Sequence, residues 1–282
     1  MFRRFLYYFF WNFYDSLGTY LLAGMLVTFP AFALYIFFAF MTSAASGVLL
    51  QSAMVVLGTI VIATIIVLAT AGMFYFADIS SRDEPARWVH FREGMRLLWR
   101  RFAIAWLVYG GAVLIAATNI LFYLKITPNL ESSTARLATV FATILFVWLL
   151  AGIFVFGLPY FASMARFKAE KRWKTSARKA FVVFALAPFY WVGVAIFIGS
   201  LLVLALASIA GSVFVLPLIA SGSTTALNEI VVFTDFLTKA REELGDNQNV
   251  NAYRRKALLL ASEAEARKQH RGFRDLIKPW EM

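Results

Sequence analysis

The sequence alternates between long apolar stretches and short polar segments, and the length of the apolar stretches is its most informative property. Six of them run for about 20 residues or more, and five of the six carry no charged residue. A helix that rises about 1.5 Å per residue needs roughly 20 apolar residues to cross the hydrocarbon core of a bilayer. The pattern therefore predicts an all-α polytopic membrane helix bundle with six transmembrane helices, at about 17–40, 52–77, 102–124, 137–161, 188–211 and 214–233.

The last two stretches follow each other without a charged residue between them. Residues 180–228 form one uncharged run, which as a single helix would measure about 73 Å, more than twice the thickness of the core. The chain must therefore turn back within this run, and Gly211-Ser212 is the predicted turn. Six full crossings would place this turn on the external side, together with the loops at 41–51 and 125–136.

Lysine and arginine are concentrated in the segments that this arrangement places on one side of the membrane. Two precede the first span, six lie in 82–101, seven in 166–179 and ten beyond residue 233, so that 25 of the 27 share one side. Lys125 and Arg136 fall on the other side. Short cytoplasmic loops of membrane proteins accumulate positive charge. We therefore expect both termini in the cytosol.

Composition agrees with a membrane protein and narrows the chemistry. Of the 282 residues, 61% are hydrophobic, and the mean hydropathy is +0.72, which is too apolar for an ordinary soluble domain. The net charge of +11 is spread over short segments between the spans, so no nucleic-acid partner is expected. The chain has no cysteine, which excludes disulfides, thiolate chemistry and cysteine-ligated metals.

Two basic segments on the predicted cytosolic side have helical periodicity. Acidic residues and a proline favour a helix start at 83–85, and apolar residues then recur at spacings of three and four as far as Phe102, which predicts an interfacial helix. The segment from Trp173 to Phe184 is similar, and the pattern leaves open whether the two are an internal repeat. The lipid bilayer is an expected partner. Candidate contacts for a partner protein or for anionic lipid headgroups are Arg87, Arg92, Arg96, Arg100, Arg178 and Lys179.

The C-terminal region is predicted to be a separate cytosolic tail. We divide the chain into a membrane domain at 1–237 and a helical tail at 238–282. The sixth apolar helix is expected to continue into the cytosol and to stop at Gly245. Asn251 is the predicted N-cap of a further helix over 252–271.

Three polar residues within the predicted spans are candidate functional residues, because polar groups inside a bilayer are costly. Asn119 is expected to hold helices together by a hydrogen bond. Asn228 and Glu229 lie near the cytosolic end of the sixth span. Glu229 fits a coupling or proton-relay carboxylate, and it fits equally a side chain that reaches the interface or pairs with a basic residue there.

No pattern in the sequence indicates catalysis, a cofactor or a metal. Three acidic residues, Asp78, Asp83 and Glu84, fit a divalent-cation site. Helix capping and pairing with Arg82 and Arg87 is the favoured alternative. The two histidines lie in different segments without a companion ligand, and the motifs of nucleotide-binding loops, serine hydrolases and zinc proteases do not occur. We therefore expect no enzymatic activity, no cofactor and no metal.

Several short stretches carry a resemblance to a known family. They are Trp11-Asn12, Thr28-Phe29-Pro30, Phe91-Arg-Glu-Gly-Met-Arg, Ala165-Arg-Phe-Lys, Ser176-Ala-Arg-Lys-Ala-Phe and Pro188. Over about residues 5–235 the chain resembles the YesL family of bacterial integral membrane proteins. The resemblance implies a helical protein of the bacterial cytoplasmic membrane without assigned chemistry and, as for some members, an expected role in carbohydrate uptake. The chain departs from the family in its longer tail and in lacking a glycine-rich stretch after the first-span proline.

These observations leave three hypotheses. The leading one is a non-enzymatic accessory or scaffold protein that engages transport-system subunits through its basic cytosolic face, for solutes such as carbohydrates. The alternative is a transporter or permease subunit with its own path, lined by Asn228, Glu229 and the spans that Pro30, Pro159 and Pro217 interrupt. A lipid-modifying membrane enzyme is a remote third hypothesis, because it needs convergent acids or histidines that the sequence does not group.

Overall fold

The chain is all-α wherever the structure describes it. The computed structural model describes residues 1–44, 47–82, 84, 86–168, 173–208, 210–245 and 249–266. The α-helices in these ranges are α1 Phe2–Asp15, α2 Leu17–Ala44, α3 Val48–Ser80, α4 Trp88–Ile126, α5 Ser133–Arg166, α6 Trp173–Leu186, α7 Pro188–Leu206, α8 Val215–Leu244 and α9 Val250–Ala266. Among them, α2, α3, α4, α5, α7 and α8 are long and apolar enough to cross a membrane. The predicted polytopic helix bundle is confirmed, and the chain is a multi-pass membrane protein.

The start of α4 differs from its prediction. Of the three residues at 83–85, the structure describes Glu84 alone, and it is not helical. The helix begins at Trp88, after Arg87 in an extended conformation. The backbone N–H of Arg87 donates to Nδ1 of His90 at 3.0 Å. A side chain from the third helical residue therefore caps this end, and the acidic residues upstream are not its first turn.

The predicted interfacial helix is the first part of α4 and continues into the span without a break. Phe91 and Leu98 are buried there, so the apolar stripe packs on protein. A Cβ on Gly94 would lie 2.6 Å from Cβ of Tyr75 and 2.9 Å from the carbonyl oxygen of Ala71. The absence of a side chain at Gly94 thus lets α4 lie directly against the C-terminal part of α3.

The burial of the helices α3 and α5 changes along their length. In α3 every residue from 69 to 80 is buried, whereas Gly58 is the only buried residue from 48 to 68. In α5 every residue from 157 to 165 is buried and none from 133 to 156 is. We call the buried stretches the inner parts and the exposed stretches the outer parts. Each outer part is apolar and long enough to cross the hydrocarbon core by itself.

The helices α7 and α8 form a hairpin whose turn meets α2 near its beginning. The turn lies between Leu206 and Val215 and includes the predicted position Gly211-Ser212. A Cβ on Gly24 would lie 2.1 Å from the carbonyl oxygen of Val213, so a side chain at Gly24 would prevent this approach. About 30 Å of α2 extends beyond Gly24, as far as Ala44. The turn thus lies level with Gly24, not at the far end of α2 where six full crossings would place it.

The chain divides into two compact units, residues 1–228 and 229–282. In the second unit α8 ends at Leu244 and is followed by Gly245 with φ +74°. This left-handed conformation favours glycine and ends helices. The predicted stop at Gly245 is confirmed.

The helix α9 begins slightly earlier than predicted. Asn251 was the predicted N-cap, but the helix starts at Val250 and contains it. The backbone N–H of Asn251 donates to Oδ1 of Asn249 at 3.2 Å. Asn249 therefore takes the capping role, through the same kind of side chain two residues upstream. The rest of the predicted helix, at 267–271, lies outside the described residues.

Candidate functional site

A cavity of about 460 Å³ lies in the first unit, beside the turn of the α7–α8 hairpin. Small-molecule sites in proteins measure roughly 300–1,000 Å³, so this cavity can hold a small molecule. The helices α2, α3, α4, α5 and α8 all contribute to its wall, which is mainly apolar and aromatic. Its lining includes Thr28, Thr70, Trp106, Tyr109, Phe161 and Ser212.

The ring of Tyr109 gives the cavity part of its shape. A Cβ on Gly157 would lie 2.7 Å from this ring and 2.9 Å from its hydroxyl, so the ring sits directly over the backbone of α5. The ring centroids of Tyr109 and Phe161 are 5.2 Å apart and nearly perpendicular. Trp106 contacts Phe161 at the same centroid distance. Rings from α4 and α5 therefore fix one wall of the cavity.

Three phenylalanine rings form a layer at one end of the cavity. The centroids of Phe74 and Phe102 are 5.9 Å apart, those of Phe74 and Phe161 are 5.8 Å apart, and those of Phe102 and Phe161 are 5.9 Å apart. Phe74 and Phe161 also line the cavity. This aromatic layer, Phe74, Phe102 and Phe161, therefore bounds the cavity on the side of the C-terminal ends of α3 and α5.

An ionic cluster around the buried Asp78 lies one helical turn beyond the aromatic layer. Asp78 is 2% exposed and pairs with Arg82 and with Arg166, whose Nη1 lies 3.3 Å from Oδ1. Nη2 of Arg166 donates to Oδ1 of Asn228 at 3.1 Å. Nδ2 of Asn228 donates to the carbonyl oxygen of Ser81 at 2.7 Å. The cluster of Asp78, Arg82, Arg166 and Asn228 thus joins α3, α5 and α8.

The burial of Asp78 sets the energetics of this cluster. Taking charges out of water is costly, so a buried ion pair adds little net stability compared with apolar packing. Loss of one partner is different, because it leaves an uncompensated buried charge and costs about 3–5 kcal/mol. Within the part of the chain that the structure describes, Asp78 supplies the carboxylate of both ion pairs, with Arg82 and with Arg166. Its removal would therefore loosen the contact between α3 and α5.

Two further basic side chains hold the end of α5. Nη1 of Arg101 donates to the carbonyl oxygen of Phe167 at 3.2 Å, and Nη2 donates to Oγ of Ser176 at 3.1 Å. Nζ of Lys168 donates to the hydroxyl of Tyr75 at 2.6 Å. Cations near a helix C-terminus satisfy its free carbonyl groups and its dipole. The C-terminal end of α5 is thereby tied to α3, α4 and α6.

The three predicted intramembrane residues have different positions. Asn228 is part of the ionic cluster described above. Glu229 is 5% exposed and belongs to the second unit. Nδ2 of Asn119 donates to the carbonyl oxygen of Ile115, one turn earlier in the same helix, at 2.8 Å. We predicted that Asn119 would bond to another helix, whereas the bond that the structure shows lies within α4.

The predicted basic contact residues mostly face outward. Five arginines of this set are exposed, namely Arg87, Arg92, Arg96, Arg100 and Arg178. Lys179 is half-buried, and its Nζ lies 4.6 Å from the ring centroid of Phe167. The arginines are available for contacts outside the protein, whereas Lys179 makes a cation–π contact within it.

For the acidic residues at 78, 83 and 84, the sequence favoured helix capping and pairing with arginines over a divalent-cation site, and the structure agrees with this in part. Asp78 pairs with Arg82 as predicted, but its second partner is Arg166 in place of Arg87. Glu84 is exposed, and Asp83 lies outside the described residues. Within the described ranges, His, Asp and Glu side chains form no group of three that could hold a metal ion.

Sequence analysis missed two features of this region. It did not connect Asp78 with Arg166, which lie 88 residues apart in the chain. The available signal was that each follows a long apolar stretch at the same predicted side of the membrane. It also passed over the hydroxyl residues of α8 that are buried, namely Ser221, Ser223, Thr224 and Thr225. A polar run within an apolar helix indicates a face that packs on other helices.

Comparison with known proteins adds no relative to this description. No protein-family model matches the chain, and no curated protein or solved structure matches it significantly. The resemblance to the YesL family stays a prediction. The fold defines the class, an all-α multi-pass membrane protein, and the cavity with its aromatic layer and ionic cluster is its candidate functional site.

Proposed function

We propose that this protein transports a solute and holds it in the cavity beside the α7–α8 hairpin. The observation that carries the proposal is the closure of the cavity at one end by two successive barriers, the aromatic layer and the ionic cluster. Both barriers combine side chains from separate helices, so a small relative movement of α3 and α5 would part them. This geometry favours the transporter hypothesis of the sequence analysis over the accessory role.

The irregular turn of the hairpin supports the same function. The two α-helices are separated by a short 3-10 helix, Ala210–Phe214, which contributes Ser212 to the cavity wall. A break in regular α-helix at membrane depth is tolerated only where the backbone is buried in protein or lines a cavity. Interrupted helices line the substrate sites of many secondary transporters for this reason.

The wall of the cavity favours an uncharged and mainly apolar solute. None of the described residues that line it is charged. Trp106, Tyr109 and Phe161 present rings for stacking, while Thr28 and Ser212 carry hydroxyl groups. A carbohydrate would require many more hydrogen-bonding groups than these side chains supply. The proposed solute is therefore a small apolar or weakly polar molecule.

We also propose an orientation in the bacterial cytoplasmic membrane, with both termini and the ionic cluster on the cytosolic side. The support is the exposed arginine set at the start of α4, which precedes the apolar stretch 102–124 of that helix and fits the positive-inside rule. The hairpin turn would then lie level with Gly24, well short of the external surface. A Ser208→Cys variant should react slowly with an external membrane-impermeant maleimide, and a Ser43→Cys variant quickly. Equal external labelling of the two would contradict this placement.

Solute transport can be tested although the solute is unidentified. Inverted membrane vesicles that contain the protein would be exposed to a cell extract, and the retained small molecules measured by mass spectrometry. We expect at least one solute whose retention differs from that in vesicles without the protein. An Ala31→Phe change fills the cavity wall and should abolish the difference, whereas Gly152→Ala, which faces open space, should preserve it. Identical profiles for all vesicles would contradict the proposal.

The exposed arginines favour a second candidate function, a non-enzymatic accessory role in a transport system. Arg92, Arg96 and Arg100 form an exposed row along the first part of α4, which could bind an acidic surface of a transport subunit. Purification from native membranes should then recover transport subunits with the unchanged protein and lose them when the three arginines are replaced by glutamine. Recovery of the same subunits with both proteins would contradict this role.

A further inference from the structure

We infer that a groove between α3 and the first part of α4 binds one anionic phospholipid, with the headgroup phosphate held by Arg92 and Arg96. The inference goes beyond the solute path, since none of the described residues that line the groove also lines the cavity. The groove has a volume of about 840 Å³. Its wall combines Arg92, Glu93 and Arg96 with the apolar surfaces of Leu68, Met95 and Trp99.

The groove lies where the surface of the bundle changes from apolar to charged. Leu68 is the last residue of the outer part of α3, immediately before the buried stretch that begins at Ala69. Arg92 and Arg96 are exposed and four residues apart, so they lie on one face of α4. One end of the groove therefore borders the apolar outer surface, and the other carries two cations. A phospholipid has the same division between acyl chains and phosphate.

The charge of the groove fits an anionic headgroup better than a zwitterionic one. Two guanidinium groups and the carboxylate of Glu93 leave one net positive charge in the groove, which matches the single negative charge of phosphatidylglycerol. A guanidinium presents several N–H donors in a plane, and these suit phosphate oxygens. Arg100 is exposed one turn further along α4 and adds to the positive potential. The quaternary ammonium of phosphatidylcholine would stand beside like charges.

The apolar wall distinguishes a lipid from a free phosphate. Trp99 is 44% exposed, and the guanidinium of Arg100 lies 5.3 Å from its ring centroid. Tryptophan is enriched at the level of lipid headgroups, where one side of the ring meets acyl chains and the other meets water. Leu68 and Met95 extend this apolar surface toward the outer part of α3. An acyl chain would cover the wall, and inorganic phosphate would leave it exposed.

Native mass spectrometry of the full chain can test this site. The protein in detergent would be offered equal amounts of phosphatidylglycerol and phosphatidylcholine with the same acyl chains. We expect preferential retention of phosphatidylglycerol. The double change Arg92→Gln and Arg96→Gln should weaken its retention by about 25-fold, or about fivefold for each arginine near a lipid surface. The matched control, Arg254→Gln with Arg255→Gln, removes the same charge from exposed positions of α9 and should leave retention nearly unchanged.

Two further experiments distinguish binding of an anionic lipid from binding of other ligands. Glu93→Gln should strengthen retention of phosphatidylglycerol, because it removes the carboxylate from the groove. Glycerol 3-phosphate added at the lipid concentration should not displace the lipid. Equal losses in the two double variants would overturn the inference, as would equal retention of phosphatidylcholine or displacement by glycerol 3-phosphate. Stronger retention of phosphatidylethanolamine than of phosphatidylglycerol, lost in Glu93→Gln, would also overturn it and assign the groove to a zwitterionic lipid.

Discussion

The inner and outer parts of α3 have similar apolar side chains but different neighbours. Residues 48–68 face outward almost throughout, whereas residues 69–80 are entirely surrounded by protein. The inner part also carries Asp78 and the glycine Gly72, where α4 approaches closely. Hydropathy alone does not separate the two parts. Small residues and charged residues within an apolar helix mark the stretch that packs on other helices.

The same difference separates whole helices. In the apolar windows of α8 and α5, 61% of the residues of α8 are buried but only 6% of those of α5. Both helices are long enough to cross a membrane, so length does not explain the contrast. The buried hydroxyl run of α8, which begins at Ser221, has no counterpart in the outer part of α5. We conclude that residues 220–227 of α8 lie in the protein interior and that the outer part of α5 faces lipid.

The largest effect that would test this comparison is expected at Asp78. Asp78→Ala leaves Arg166 without its carboxylate partner and should lower the free energy of unfolding by about 3–5 kcal/mol. Thermal unfolding in detergent, followed by circular dichroism, measures the change. Glu131→Ala, at an exposed position outside the helices, is the control and should change little. A shift at Asp78 no larger than that at Glu131 would show that the ionic cluster does not hold the inner part together.

A second prediction compares a core ring with a lipid-facing side chain. Phe102 is fully buried in the aromatic layer, so Phe102→Ala should cost about 3–4 kcal/mol. Leu145 lies in the outer part of α5 and is half exposed. Its truncation should cost less than about 1 kcal/mol, because lipid or detergent replaces the lost contacts. The same unfolding assay compares the two variants, and similar costs would mean that the outer part of α5 is packed against protein.

A third prediction concerns the hairpin turn. Gly24→Ala places a methyl group against the backbone of Val213 and should destabilise the protein by about 1–3 kcal/mol through overpacking. Gly152→Ala, in the outer part of α5, meets open space. Because alanine favours helix more than glycine does, that control should be neutral or stabilising by up to about 1 kcal/mol. If both changes stabilised the protein, the turn could not lie against α2.

The smallest predicted effect lies in the second unit. Nζ of Lys256 is 2.8 Å from a carboxylate oxygen of Glu243, and this hydrogen bond, with the attraction between the charges, raises the pKa of Lys256 above its ordinary value of 10.5. Since the folded-state pKa is raised, the pair stabilises fully below pH 10.5, and this stabilisation is lost as the pH rises through the folded-state pKa.

Nuclear magnetic resonance of labelled lysine side chains can follow this titration. Glu243→Gln should bring the pKa of Lys256 back toward 10.5, whereas Glu242→Gln, at the preceding exposed position, should have a smaller effect. An unchanged pKa in Glu243→Gln would show that the two side chains are not paired in solution.

Much of the fold could be predicted, because each long helix is visible in the sequence as a long stretch of high hydropathy. The C-terminal end of α8 and the start of α7 were also predictable, since Gly245 and Pro188 act through local backbone geometry. The start of α4 was not, because the sequence offers acidic residues and a proline as helix-start signals, whereas His90 caps the helix three residues inside it.

The candidate site was less predictable, because its parts meet only in the folded bundle. Asn228 could be singled out from its place in an apolar stretch, but its contact with Arg166 spans 62 residues. The cavity is lined by ordinary apolar and aromatic residues such as Trp106 and Phe161, which do not differ in sequence from lipid-facing ones. The depth of the hairpin turn depends on the close approach at Gly24, which hydropathy does not report.

The closure of the cavity by the ionic cluster is the central claim, and access to Thr28 tests it most directly. The chain contains no cysteine, so a Thr28→Cys variant carries a single reactive thiol in the cavity wall. Membrane-impermeant maleimide on the cytosolic side should label this variant slowly, and markedly faster when Asp78→Asn is added. Adding Glu131→Gln instead should leave the rate unchanged. Equal labelling rates in all three folded proteins would contradict the account.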